Sequence, residues 1–231
     1  MIEIAGKQVL SELAELVDPC RAALLIIDMQ RDFVEPGFAF DRLGVDLSMY
    51  PPVRARIATL LAAARSAGVL VVHVQMTSLP GGMSESPAQL RFNLRLQRQG
   101  DITGGRFRFT EHGDAGHEFV SELAPLPGEL VVPKWRSSGF WGTSLDLLLR
   151  SNGIETVVVA GCTTEGCVES TARDALFNDY YVVIVEDGVG SDDRAQHDAS
   201  MLLMRHRFDL ASSTGVESAW KVAMSNRKAS A

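Results

Sequence analysis

Three reactive side chains, Asp28, Lys134 and Cys167, each follow a short apolar run of the sequence. Lys134 stands out because the chain has only three other lysines, all near its ends: Lys7, Lys221 and Lys228. Together, an acid, an amine and a thiol can cleave a carbonyl compound. The thiol attacks the carbonyl carbon, while the acid accepts the thiol proton and later gives it to the leaving amine. These three residues are therefore predicted to be catalytic.

Cys167 is the predicted nucleophile because it should begin a helix over residues 168–178. The positive end of the helix dipole lowers the pKa of a thiol placed there, and the Lys134 ammonium would lower it further. Backbone N–H groups in the preceding turn could hold an oxyanion. Cys162 lies five residues earlier, within that turn, and we expect it to be packed or to line the pocket.

Strands and helices alternate along the chain and must position these side chains. Buried strands are predicted at residues 22–28, 69–75, 130–133, 156–161, 181–186 and 208–211. Helices are predicted at residues 53–67 and 143–152, which have apolar residues at helical spacing and end at Gly68 and Gly153. The same apolar spacing predicts helices at residues 168–178 and 194–206. This order predicts a three-layer α/β/α fold, doubly wound around a mostly parallel sheet of about six strands. Ligands of such sheets bind beyond the carboxyl ends of the strands.

The segment from about residue 77 to 116 interrupts the alternation. It is rich in Pro, Gly and Arg and shows no clear strand pattern, which is typical of an active-site lid or a mobile loop. No linker or repeat divides the chain, so residues 1–231 are predicted to form one domain.

Composition narrows the functional classes. Hydrophobic residues make up 46% and charged residues 22% of the chain, values that argue against a disordered or fibrous protein. The formal net charge of −7 argues against nucleic acid as a partner. No apolar run is long enough to cross a membrane, and no signal pattern is present, so we expect a cytoplasmic protein without disulfides.

Three blocks of the sequence resemble the motifs of the isochorismatase-like cysteine hydrolase superfamily. The first strand and its exit contain an Asp-x-Gln-x-x-Phe pattern at residues 28–33. Residues 131–145 resemble the family's Lys block, and residues 161–168 resemble its Gly-x-x-Thr-x-x-Cys-Val block. The blocks occur in the family's order, and the resemblance extends from residue 20 to residue 213.

The resemblance implies a catalytic triad of Asp28, Lys134 and Cys167. It also implies a cis peptide bond between Cys162 and Thr163, with an oxyanion hole formed by the N–H groups of Thr163 and Cys167. No cofactor is implied. Family members are commonly dimers or tetramers, so a homo-oligomer that acts on a small-molecule substrate is expected.

The motifs also resemble one branch of the superfamily, the N-carbamoylsarcosine, ureidoacrylate and biuret or triuret amidohydrolases. This resemblance implies release of ammonia from a small carbamoyl or ureido compound through a covalent acyl-cysteine intermediate. Amidases of the maleamate or nicotinamide type remain an alternative. However, no histidine lies between Asp28 and His73, where the nicotinamidases bind their metal, so no catalytic metal is expected.

Four residues near the motifs are predicted to bind the substrate: Gln30, Phe33, Phe140 and Trp141. The role of the arginines in the irregular segment remains open. They could attract a substrate carboxylate, or they could form a solvated face or a subunit contact: Arg91, Arg95, Arg98, Arg106 and Arg108.

Three rival functions are less well supported. A nucleotide-binding protein would need a Gly-x-Gly-x-x-Gly or Walker motif, and the sequence has neither. A non-catalytic binding protein of the same fold would have little use for an intact acid–amine–thiol set. Isochorismatases, which hydrolyse a vinyl ether, lack the nucleophilic cysteine that this chain has at Cys167.

Overall fold

A six-stranded parallel sheet forms the centre of the protein in the computed structural model, which describes residues 1–96 and 109–230. The sheet consists of β3 (Ala22–Ile27), β4 (Leu70–Met76), β5 (Leu130–Lys134), β6 (Thr156–Cys162), β7 (Tyr181–Gly190) and β8 (Asp209–Ala211), in the order β5-β4-β3-β6-β7-β8. All neighbouring pairs are parallel. The predicted doubly wound α/β fold is therefore confirmed.

The central strands are apolar throughout because both faces of the sheet are covered. All six residues of β3 are buried. Leu24 and Ile26 belong to one hydrophobic core, and Ala23, Leu25 and Ile27 belong to the other. Alternate side chains of a strand point to opposite faces, so β3 contributes to both cores and shows no apolar–polar alternation.

Helices form the two outer layers. The helices are α1 (Leu13–Leu16), α2 (Arg31–Val34), α3 (Ala39–Arg42), α4 (Tyr50–Ala67), α5 (Pro87–Leu96), α6 (Leu145–Ser151), α7 (Glu169–Phe177), α8 (Arg194–Met204) and α9 (Ser213–Ser230). Buried residues of α4 and α9 pack into the core that contains Leu24. Buried residues of α6, α7 and α8 pack into the core that contains Leu25.

The winding of the sheet reverses between β3 and β6. From β3 the chain continues outward through β4 to β5, then returns to place β6 on the other side of β3 and continues to β7 and β8. The loops that follow β3 and β6 therefore leave the sheet side by side at its carboxyl edge. Such a switch point opens a crevice in which ligands bind.

The structure contains elements that the sequence patterns do not predict. A hairpin of β1 (Ile2–Ile4) and β2 (Lys7–Val9) precedes the sheet, and α9 follows it. Trp220 of α9 is fully buried and donates a hydrogen bond from Nε1 to the carbonyl oxygen of Val17 (2.8 Å). The described part of the irregular segment includes α5 and a 3₁₀ turn at Pro80–Gly82. No helix in the described ranges is long and apolar enough to span a membrane.

Candidate active site

The side chains of Asp28, Lys134 and Cys167 meet beyond the carboxyl edge of the sheet. Nζ of Lys134 lies 2.8 Å from Oδ2 of Asp28 and 3.1 Å from Sγ of Cys167. Asp28 is 1% exposed and Lys134 is fully buried. The sheet brings the three predicted residues together because they follow, or lie at the end of, three of its parallel strands.

Asp28 occupies a sharp turn at the end of β3. Its φ of 52° is in the left-handed region, which aspartate tolerates better than most residues. The turn directs the carboxylate toward β4, where Oδ1 accepts a hydrogen bond from the backbone N–H of Met76 (2.9 Å). Oδ2 has no comparable backbone donor and lies beside Lys134. Burial raises the pKa of the carboxyl, although the positive charge of Lys134 opposes the shift.

Lys134 is the last residue of β5, and its ammonium group is held in place by three neighbours. Besides its contacts with Asp28 and Cys167, Nζ donates a hydrogen bond to the carbonyl oxygen of Arg136 (3.0 Å). Burial alone would lower the pKa of Lys134. The negative charge of Asp28, together with the hydrogen bonds of Nζ to Asp28 and Cys167, outweighs burial, so the pKa lies above its ordinary value and the group remains an ammonium.

Cys167 lies in a π-helical turn, Thr164–Val168, that leads directly into α7. The backbone N–H of Val168 reaches back five residues to the carbonyl oxygen of Thr163 (3.1 Å), which is the hydrogen bond of a π turn. Burial and the nearby Asp28 carboxylate raise the pKa of the Cys167 thiol to about 12, despite the opposing charge of Lys134. The prediction of a lowered pKa is therefore wrong, since the helix start and Lys134 do not outweigh burial and a neighbouring anion.

The backbone that leads from β6 to Cys167 passes close to β3 at Gly161, near the end of β6. The φ of Gly161 is 128°, and a Cβ atom at this position would overlap the carbonyl oxygen of Ile27 in β3. Only glycine fits this close approach of two backbones. The peptide bond between the two residues that follow, Cys162–Thr163, is cis, at the position that the family resemblance implies.

Cys162 is placed differently from Cys167. It is fully buried, and its thiol donates a hydrogen bond to the backbone carbonyl oxygen of Asp28 (3.2 Å). Burial, followed by the negative charge of Asp28, raises its pKa well above the ordinary value. Because Lys134 contacts Cys167 and not Cys162, the geometry favours Cys167 as the nucleophile.

A cavity of about 550 Å³ opens beside Asp28 and Cys167. Thr163 and Cys162 also line it, whereas Lys134 is buried behind the lining. Its lining includes apolar side chains and, from other elements, polar ones: Phe33, Phe40, Leu43, Val45, Phe92, Phe109, Asn93, Glu165, Ser170, Asp192 and Gln196. The cavity is large enough for a small-molecule substrate, and it contains Phe33, one of the four predicted substrate-binding residues.

The other three predicted substrate-binding residues do not line this cavity. Gln30 is fully buried, and its Nε2 donates to the carbonyl oxygens of Met76 and His117 (both 2.9 Å). Its side chain therefore connects the end of β4 to the segment around His117 by hydrogen bonds. Phe140 packs in the core against Tyr180, with 5.8 Å between ring centroids. Trp141 is 61% exposed. The structure therefore does not bring these three side chains to the cavity, because the type of a residue alone does not determine where its side chain points.

The predicted arginine cluster is only partly described. Arg95 of α5 is exposed and lines the cavity, whereas Arg91 is exposed and does not line it. Arg98, Arg106 and Arg108 lie outside the described residues. Among the described residues, no three His, Cys, Asp or Glu side chains are grouped so as to hold a metal ion.

Glu165 is a cavity residue that the sequence interpretation did not single out. Burial raises its pKa, and hydrogen bonds from its own backbone N–H and from the side chains of Ser191 and Thr163 offset that effect only in part. Phe40 and Phe109 were also not predicted. The only signal for Glu165 is its position two residues before Cys167, and Phe40 and Phe109 lie outside the motif blocks.

Comparison with known proteins identifies the family and agrees with the fold. The family model for the isochorismatase domain matches residues 22–215. An N-carbamoylsarcosine amidase from Thermoplasma acidophilum is 30% identical, with 84% of this chain and 96% of the amidase covered and a TM-score of 0.64. A cysteine hydrolase from Pseudomonas syringae pv. phaseolicola is 25% identical, with coverages of 90% and 96% and a TM-score of 0.76.

A third structure strengthens the assignment. An isochorismatase family protein from Desulfovibrio vulgaris is 33% identical, with 85% of this chain and 96% of that protein covered and a TM-score of 0.70. The resemblance seen in the sequence motifs is thus confirmed over nearly the full length of the sheet. The chain belongs to the isochorismatase family and is a hydrolase of its cysteine-hydrolase type.

Proposed function

We propose that the protein is a cysteine amidohydrolase that releases ammonia from a small carbamoyl or ureido compound. The observation that carries the proposal is the position of the Lys134 ammonium, which touches both the Asp28 carboxylate (2.8 Å) and the Cys167 thiol (3.1 Å), two groups that line a cavity. An acid, a cation and a thiol in mutual contact form a complete set for acyl transfer.

In the first half of the reaction, Sγ of Cys167 attacks the carbonyl carbon of the terminal amide. Because the thiol has a pKa of about 12, it is protonated at neutral pH and must lose its proton as the new bond forms. Asp28 is the base that accepts this proton, and the Lys134 ammonium stabilises the sulfur as it becomes negative. The backbone N–H groups of Thr163 and Cys167 hold the carbonyl oxygen as it becomes an oxyanion.

The tetrahedral intermediate then collapses. The C–N bond breaks as Asp28 returns the proton to the nitrogen. Ammonia is released, and an acyl-cysteine thioester remains on the enzyme. In the second half, Asp28 removes a proton from water as the water oxygen attacks the thioester carbonyl. The C–S bond breaks, the thiolate recovers its proton from Asp28, and the acid product leaves. One water is consumed and one ammonia is released in each cycle.

The carbamoyl or ureido substrate class has separate support. The N-carbamoylsarcosine amidase that is 30% identical acts, by its name, on an N-carbamoyl compound. The turn Gly161–Cys167 also resembles that branch of the superfamily. Amidases of the maleamate or nicotinamide type share the same first step and are the alternative enzyme class. A non-catalytic binding protein of the same fold is the alternative outside catalysis.

An ammonia-release screen tests the proposal. Purified protein is incubated with N-carbamoyl amino acids, ureidoacrylate, biuret, triuret, maleamate and nicotinamide, and ammonia is measured over time. We expect turnover of at least one carbamoyl or ureido compound. Turnover of maleamate or nicotinamide alone would establish the alternative amidase class, and no turnover of any compound would contradict the proposal.

Two matched cysteine variants then identify the nucleophile. Cys167→Ala should lower turnover by roughly 1000-fold or more, because it removes the thiol that Lys134 contacts. Cys162→Ala should keep measurable turnover, since the thiol of Cys162 is hydrogen-bonded to the carbonyl oxygen of Asp28 and not to Lys134. Circular dichroism of both variants checks that they are folded. Loss of activity in Cys162→Ala with retention in Cys167→Ala would overturn the assignment.

A further inference from the structure

The cavity over Cys167 has two unlike walls. One wall comes from α2, α3, α5 and the loops beside them and is largely apolar: Phe33, Phe40, Leu43, Val45, Phe92 and Phe109. Helix α5 also contributes three polar side chains to it: Gln89, Asn93 and Arg95. The other wall comes from the nucleophile turn, α7 and the loop and helix after β7 and is polar: Glu165, Ser170, Asp192 and Gln196. The reacting thiol lies on the polar side, within the same turn as Glu165.

Three phenyl rings of the apolar wall pack edge to face. The ring centroids of Phe33 and Phe40 are 4.9 Å apart, those of Phe33 and Phe109 are 5.7 Å apart, and those of Phe40 and Phe109 are 6.2 Å apart. These distances are typical of favourable aromatic pairs. Phe33 and Phe109 belong to the buried core, at 6% and 8% exposed, and they support the ring of Phe40, which is only partly buried.

A buried carboxylate fixes this aromatic surface. Asp32 accepts hydrogen bonds from the backbone N–H of Ala39 at Oδ1 (3.2 Å) and from that of Thr110 at Oδ2 (2.6 Å). Ala39 precedes Phe40, and Thr110 follows Phe109. Gly116 packs against the same carboxylate so closely that a side chain would overlap it. Two of the three rings are thus held by one residue of α2.

The size and character of the apolar wall exceed what a small ureide requires. Biuret has only a handful of heavy atoms, all of them polar groups or their carbonyl carbons. Bound at Cys167, it would occupy a minor part of the 550 Å³ cavity and would leave the accessible aromatic side chains of the apolar wall, Phe40 and Phe92, in contact with water. Binding sites usually cover most of a ligand, and apolar surface contributes to affinity only when a ligand removes it from water.

We propose that the substrate carries an apolar group, an aromatic ring or a branched alkyl chain, that packs against the apolar wall, chiefly at Phe40 and Phe92. This inference rests on the proposed amidohydrolase function and specifies its substrate class. The amide to be cleaved lies at Cys167 on the polar side, and the apolar group extends away from it to the opposite wall. N-carbamoyl derivatives of hydrophobic amino acids have this shape, whereas biuret and triuret do not.

Matched substrate pairs test the proposal. N-carbamoylphenylalanine is compared with N-carbamoylglycine, and phenylacetamide with acetamide, so that each pair differs by an aromatic group and shares the reacting amide. We expect kcat/KM to be roughly 10- to 100-fold higher for the aromatic member, the usual gain from burying one ring. Equal values, or a preference for the smaller member or for biuret, would overturn the proposal.

Variants of the wall test where the ring binds. Phe40→Ala should lower kcat/KM for the aromatic substrates much more than for N-carbamoylglycine, so that most of the preference is lost. Phe92→Ser provides a second test that does not endanger folding, because Phe92 is 42% exposed. Leu147→Ala is the control, since this leucine is 68% exposed and lies outside the cavity. A preference unchanged in both phenylalanine variants would place the apolar group elsewhere.

A binding measurement separates failure of this inference from failure of the proposed function. Calorimetric titration of Cys167→Ser with N-carbamoylphenylalanine and with N-carbamoylglycine needs no turnover. Tighter binding of the aromatic compound, weakened by Phe40→Ala, supports the apolar site even if the wild type releases no ammonia. Turnover of carbamoyl compounds without any such difference in affinity supports the amidohydrolase and contradicts the apolar site.

Discussion

Strand β5 has a cluster of charged groups at each of its ends. At the carboxyl end, Lys134 is paired with Asp28 (2.8 Å). At the amino end, Glu129 comes directly before the strand and is paired with Arg65 through two hydrogen bonds, Nε to Oε1 (2.7 Å) and Nη2 to Oε2 (2.9 Å). The two clusters contain the same kinds of groups, a carboxylate and a cation, within one strand length of each other.

The two carboxylates differ in how completely they are hydrogen-bonded. Oε2 of Glu129 also accepts from the backbone N–H of Leu126 (2.8 Å) and lies 3.0 Å from Nε2 of the buried His73. These bonds, those from Arg65 above all, lower the pKa of Glu129 to about 2. Asp28 has one backbone donor and is buried more deeply, so its pKa is raised.

The difference separates an ion pair that holds the structure from one that is suited to chemistry. A carboxylate stabilised by many donors has no tendency to accept a proton near neutral pH. A carboxylate with few donors and a raised pKa is a better base, and the neighbouring thiol supplies the proton. The cluster around Glu129 is therefore expected to contribute to stability, and the cluster around Asp28 to turnover.

The largest predicted effect is that of Lys134→Met on activity. The variant loses the cation that stabilises the sulfur, so kcat should fall by roughly 100- to 1000-fold. It also leaves Asp28 buried without its partner, so the protein should be destabilised. Steady-state kinetics and urea unfolding measure both effects, with Lys221→Met of α9 as a surface control.

A double variant separates the two consequences of losing Lys134. Asp28→Asn combined with Lys134→Met removes both charges, so the free energy of unfolding should recover toward that of the wild type while activity remains absent. If activity recovered together with stability, the contribution of Lys134 would be structural. The proposed difference between a pair for turnover and a pair for stability at the two ends of β5 would then be wrong.

The opposite pattern is predicted for Glu129→Gln. The variant keeps the shape of the side chain but leaves Arg65 without its counter-charge, so the free energy of unfolding should fall by about 1–3 kcal/mol. Because Glu129 lies at the other end of β5 from Lys134, kcat should stay within roughly twofold of the wild-type value. Urea unfolding and an ammonia-release assay provide the two measurements. A loss of kcat comparable to that of Lys134→Met would contradict the contrast.

Much of the fold could be predicted because the signal was local. Apolar runs over residues 22–28 and 156–161 coincide with β3 and β6 to within a residue at each end. Helix α9 was missed because its packing depends on a long-range contact, the hydrogen bond of Trp220 to Val17. The hairpin of β1 and β2 was missed because its strands have three residues each, mostly exposed.

The candidate site could be predicted only in part. Asp28, Lys134 and Cys167 carry chemical types that stand out at strand ends, and the topology brings them together. The orientation of Phe140 and Trp141 is decided by packing with Tyr180 and by solvent exposure, neither of which the sequence displays. The pKa of Cys167 was misjudged because burial and a neighbouring anion act through tertiary structure.

The smallest predicted effect is that activity and stability are lost at different pH values as the solution is acidified. Asp28 must be ionised to accept the thiol proton, so kcat/KM should be lost as the pH falls through its raised pKa, above the usual value near 3.9. The stability contributed by Glu129 is present above pH 4.5 and lost as the pH falls toward about 2. Measurements of kcat/KM and of urea unfolding between pH 2 and 8 should show activity failing first. Glu129→Gln should flatten the stability transition and leave the activity profile in place, and a shift of both profiles together would contradict the separation.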